Sequence, residues 1–157
     1  MKTTSTTNAA LLRSTLGAIA LLACATARAG ATDALCASVD DGMRAALQLG
    51  GPVAESGTQD VAMPGGETVK TTRCTWRAET GGRVLVLTST PMATPFTMPP
   101  SCSARQQGGQ SVAMCVLSAQ GASVALMLMR ASGEADPAEL ATLQAQAQTL
   151  AARLDKR

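Results

Sequence analysis

Four cysteines, Cys36, Cys74, Cys102 and Cys115, follow an N-terminal stretch that reads as an export leader, and no other feature of the 157-residue chain limits its fold so tightly. An even set of cysteines in an oxidising compartment reads as two disulfides. Three pairings are formally open. Each would tie segments far apart in the chain to one small core.

The leader has Lys2 and Arg13, the apolar run Leu16 to Cys24, and small residues ending in Ala27-Arg28-Ala29. That is the layout of a secretory signal peptide, and the run is too short for the roughly 20 residues that span a bilayer. Leu21-Leu22-Ala23-Cys24 offers a second processing site, at which Cys24 would carry a lipid. Soluble export to the periplasm or medium is the favoured reading; membrane association follows only if Cys24 is lipidated. The expected organisation is a signal peptide over 1–29 and a single exported domain over 30–157. Without the leader the chain loses Lys2, Arg13 and Arg28. Its Lys plus Arg count falls from 13 to 10 against 11 Asp plus Glu, a formal charge of −1. No basic stripe remains to attract nucleic acid.

Along the chain, Ser38 followed by Asp41 reads as an N-cap, with Val39, Met43, Ala46 and Leu47 at helical spacing. Gly50-Gly51-Pro52 stops that helix after about three turns. Val53 to Glu67 is polar and glycine-rich and reads as a loop with at most a short edge strand. Residues 69–78 alternate, with Cys74 and Trp76 on one face and Thr75 and Arg77 on the other. Gly81-Gly82 turns the chain into a partner strand over 83–88, completing a first hairpin. Residues 91–110 hold four prolines and read as an irregular linker. A second hairpin pairs 112–118 with 122–130 through a turn at Gln120-Gly121. Its VALMLM segment is apolar on both faces, which suits a central strand. Asp136 as N-cap, Pro137 at N1 and Glu139 at N3 open the final helix, and Leu140, Leu143, Ala147, Leu150 and Leu154 form its apolar stripe.

The two hairpins resemble each other. Cys74, Leu85 and Leu87 recur 41 residues on as Cys115, Leu126 and Leu128, which implies that both hairpins turn the same face inward.

Cys36 before a capped helix, the helix ending at Gly50, then Cys74-Thr75-Trp76 entering a hairpin, resembles a group of small bacterial envelope lipoproteins of unknown function. The resemblance covers about residues 35–90. It implies export, a helix plus antiparallel-sheet domain, and a disulfide from helix to strand, with no activity attached. Carried onto this chain it pairs Cys36 with Cys74 and, by remainder, Cys102 with Cys115.

The chain contains no histidine and no tyrosine. That removes histidine-based triads, imidazole-bound zinc and a near-neutral acid or base. Asp40-Asp41 and Asp136 stand at helix starts, where they complement the dipole. The glycine pairs mark turns and open no phosphate loop. An enzyme is therefore not expected, nor a cofactor. Met92 and Met98 could hold Cu(I) as soft thioethers, but packing is the stronger reading for the methionines, and Met114, Met127 and Met129 are expected to fill an aromatic-poor core.

The resulting expectation is an α+β domain: a four-stranded, mainly antiparallel sheet of two hairpins, flanked by an N-terminal and a C-terminal helix on one face, with two disulfides. The expected function is non-catalytic binding of a protein or small apolar ligand in the envelope. A periplasmic inhibitor or immunity-type protein is the alternative, with Met92, Phe96, Met98 and Arg105 as its candidate binding loop.

Overall fold

The computed structural model describes residues 32–156 apart from 33, 64, 95 and 135. The expected signal peptide and Cys24 lie outside the described residues. The elements in order are α1 (Asp41–Ala46), β1 (Glu55–Ala62), β2 (Thr68–Arg77), β3 (Arg83–Pro91), β4 (Ser101–Gln107), β5 (Gln110–Ala119), β6 (Ala122–Arg130) and α2 (Pro137–Leu154). All six strands form one antiparallel sheet in the order β1-β2-β3-β6-β5-β4. The class is α+β, but the sheet has six strands where four are expected.

The two additional strands lie at the two edges. Residues 53–67 are not mainly loop, because 55–62 pair with β2 along eight positions. The linker expected over 91–110 is irregular only until Ser101, after which β4 pairs with β5. Its prolines all precede the strand, so no proline interrupts the ladder. From β3 the chain rounds the β5–β6 turn. The Met92 N–H donates to the Gly121 carbonyl, the Ser118 N–H donates to the Met98 carbonyl, and the Met98 N–H reaches Ser118 Oγ.

The sheet is two three-stranded meanders joined between β3 and β6. The recurring Cys-Leu-Leu positions all face inward, but the registers differ by two residues: Cys74 stands opposite Leu87, and Cys115 opposite Leu126. The cause is turn length. Gln120 and Gly121, with φ of 52° and 73°, close a two-residue turn, whereas Gly81-Gly82 lies in a longer one. A two-residue shift leaves every side chain on its original face.

One row crosses all six strands on the inner face: Ser56, Cys74, Leu87, Leu126, Cys115 and Cys102. The next row runs Trp76, Leu85, Leu128, Ala113 and Ala104. Both helices cover this face. Leu143, Ala147, Leu150 and Leu154 of α2 join Val39, Met43, Leu47 and Leu49 of the N-terminal segment in a single core. Trp76 is its largest side chain and is 1% exposed.

The N-terminal helix departs from expectation. The main helix is the six residues of α1, preceded by a helical turn at 34–36. Its N-cap is Asp40, whose side chain accepts the Met43 N–H at 2.8 Å; Ser38 instead donates to the Leu35 carbonyl and closes the preceding turn. At the far end α2 begins as its sequence dictates, with Asp136 accepting from the Ala138 N–H and Pro137 in the first turn.

Cys36 joins Cys74, and Cys102 joins Cys115. The first disulfide fastens the N-terminal segment to β2, while the second bridges directly opposed residues of β4 and β5. Two disulfides suggest folding in an oxidising compartment. Among the described residues no helix is long and apolar enough to cross a membrane.

Candidate functional site

With both helices on the inner face, the outer face carries no helix among the described residues. Its side chains follow from alternation. β2 contributes Arg73, Thr75 and Arg77; β3 contributes Val84, Val86 and Thr88; β6 contributes Ala125, Met127 and Met129; β5 contributes Val112, Met114 and Val116; β4 contributes Ser103 and Arg105. Two adjacent rows make the pattern plain. Thr75, Val86, Met127, Met114 and Ser103 run side by side, as do Arg77, Val84, Met129, Val112 and Arg105. The centre is apolar and the flanks are polar or cationic.

The methionines of the second hairpin therefore do not fill the core. Met114, Met127 and Met129 are half-buried on the open face, and Met43 is the methionine enclosed by the helices. Alternation along VALMLM places Leu126 and Leu128 inward and the methionines outward. The segment lies centrally, between β3 and β5, with the described helices over the face that carries Leu126 and Leu128.

Two cationic groups frame the apolar centre. Arg73 and Arg105 are exposed and have no ion pair among the described residues. Arg77 is committed to Glu55 across the β1–β2 ladder at 3.2 Å. Beneath that pair Thr75 is 1% exposed, and its Oγ1 has no hydrogen-bond partner. Beside it a cavity of about 180 Å³ opens where Gly57 lacks a side chain, lined also by Arg73 and by Thr58 and Gln59 of β1.

A larger concavity lies elsewhere. A groove of about 680 Å³ runs between α1 and the segment leading into β1, lined by Cys36, Asp40, Asp41, Arg44, Val53 and Trp76. Its charged groups are already engaged: Asp40 caps α1 and pairs with Arg153, and Asp41 pairs with Arg44. The Asp40 carboxyl is held below its ordinary value, first by the Met43 N–H and then by Arg153. A carboxylate so stabilised is a poor proton carrier near neutral pH.

Comparison with protein-family models, with curated proteins and with solved structures finds no match.

Of the residues expected to form a binding loop, Met92 and Met98 are held together at the β5–β6 turn and Arg105 stands apart from them. Met92 and Met98 are half-buried beside the β5–β6 turn, and Phe96 between them is 55% exposed. Arg105 lies on β4 opposite Val112, whereas Met98 pairs with Ser118, so the two stand at different ends of β5. The outward methionines could not be singled out from the sequence, because a period of two separates the faces of a strand without saying which face is covered.

Proposed function

We propose that the chain is an exported, non-catalytic binding module of the bacterial envelope, periplasmic or secreted, or lipid-anchored if Cys24 is processed. The observation that carries this reading is the outer sheet face, apolar at its centre and flanked by Arg73 and Arg105, with no helix over it among the described residues. Apolar area on an antiparallel sheet is ordinarily buried against something. A partner protein or a small apolar ligand fits that surface. The resemblance of residues 35–90 to envelope lipoproteins agrees with this compartment and adds no activity.

The test is affinity capture from envelope extract with the unmodified protein and with Met127→Glu, which puts a charge at the centre of the face. Loss of a captured partner in the variant, with unchanged circular dichroism, supports the proposal. Equal capture by both proteins refutes it.

The second reading, an inhibitor acting through its loop, is favoured by Phe96, an exposed aromatic in a segment fixed at both ends by Met92 and Met98. Phe96→Ala would then abolish capture while Met127→Glu would not.

A further inference from the structure

Met114 and Met127 stand directly opposite each other on β5 and β6, and Met129 follows two residues along β6 on the same face. Directly opposed Cβ atoms in such a ladder lie about 4.5–5.5 Å apart, with diagonal neighbours at about 7–8 Å. Methionine is unbranched and has three rotatable side-chain bonds, so the three sulfur atoms can converge on one point above the sheet. All three are half-buried, reachable from solvent yet walled by Val84, Val86 and Val112.

Packing alone does not account for this choice of residues. The inner face has its own complete core, and the outer positions of neighbouring β3 are Val84 and Val86, as strand preference would select. Three unbranched thioethers occupy the adjoining positions instead. Thioethers are also the soft donors left to the described molecule. The chain has no histidine, the four described cysteines are consumed in disulfides, and no group of three or more Cys, Asp or Glu among the described residues could hold a metal ion. Neutral, polarizable sulfur suits a soft monovalent ion and poorly suits Cu(II), Zn(II) or Ca(II), which prefer nitrogen, thiolate or oxygen.

We propose that Met114, Met127 and Met129 form a three-thioether site for Cu(I). The site does not require the outer face to dock a partner, so it stands apart from the binding role proposed above. It also differs from a site at Met92 and Met98, which lie at the other end of the face beside Gly121 and Ser118.

The experiment titrates the disulfide-intact protein with Cu(I) held by bicinchoninate, with ascorbate as reductant. The expected result is one Cu(I) withdrawn per chain, with affinity at least tenfold weaker in Met114→Leu/Met127→Leu/Met129→Leu and unchanged in Met92→Leu/Met98→Leu. Leucine keeps the apolar volume, so the fold should survive. A second measurement uses the unmodified protein. With methyl-labelled methionine, Ag(I) as a redox-inert stand-in should shift the methyl resonances of Met114, Met127 and Met129, assigned from single Met→Leu variants, and leave Met63 in place. No withdrawal of Cu(I), unchanged affinity in the triple variant, loss of binding in Met92→Leu/Met98→Leu, or Ag(I) shifts centred on other methionines would each overturn the proposal.

Discussion

Arg153 Nη2 stands 2.6 Å from Oδ2 of Asp40, so the last turn of α2 holds the residue that caps α1. The same guanidinium donates through Nη1 to the Ser38 carbonyl at 3.1 Å. Capping, ion pairing and helix docking thus meet in one carboxylate. Asp40→Ala should destabilise the protein by about 1 kcal/mol through the lost cap. Asp40→Asn keeps a capping oxygen and removes the charge. Because the folded carboxyl lies below its ordinary value, its charge contributes stability above the unfolded pKa and loses it as pH falls through the folded one. Urea denaturation should therefore show Asp40→Asn less stable than the unmodified protein at pH 7, with the gap closing in acid. A gap that widens in acid would contradict the assignment.

Trp76 is the main filler of an aromatic-poor core, enclosed beside the Cys36–Cys74 disulfide. Its emission should be blue-shifted and resist iodide quenching until the protein unfolds. Trp76→Ala should cost about 3–5 kcal/mol, as for other large-to-small changes in cores. Red-shifted emission that iodide quenches in the native state would place the indole at the surface.

Much of this architecture is legible from particular residues. Asp136-Pro137 marks the start of α2, the stripe from Leu140 to Leu154 gives its buried side, and alternation around Cys74 and Trp76 gives the inner face. The edge strands are not legible, for a physical reason. β1 is ESGTQDVA, with nearly every residue exposed, so its place depends on backbone pairing with β2 and leaves no apolar period. β4 turns only Cys102 and Ala104 toward the core, and the three prolines between β3 and β4 obscure its start. Met127 and Met129 are legible as one face of β6 and Met114 as one face of β5, but which face the described helices cover is a property of the assembled layers.

The two disulfides should differ in what their loss releases. Cys36 and Cys74 are 38 residues apart, and Cys102 and Cys115 are 13 apart. The chain-entropy model assigns them roughly 4 and 3 kcal/mol. Replacing the first pair with serine should expose the N-terminal segment and α1 to hydrogen exchange while the sheet persists. Replacing the second should fray β4, an edge strand whose ladder has β5 as its one partner strand. Exchange confined to β4 in the first variant would reverse this assignment.

Gly81 and Gly82 separate two costs that usually arrive together. Both have positive φ, at 80° and 60°, but a Cβ at Gly81 would meet open space. A Cβ at Gly82 would lie 2.9 Å from the Cβ of Ala131, just beyond β6. Gly81→Ala should therefore carry only the backbone penalty, about 1 kcal/mol. Gly82→Ala adds a steric clash between the first hairpin and the exit from β6, and overpacking of this kind typically costs about 1–3 kcal/mol. Thermal melts of the two single variants and of Gly82→Ala/Ala131→Gly check the distinction. The double variant removes the opposing methyl, so it should recover the difference between Gly82→Ala and Gly81→Ala, apart from the glycine's own entropy at position 131. Equal losses in the two single variants would mean that the close approach to Ala131 relaxes freely.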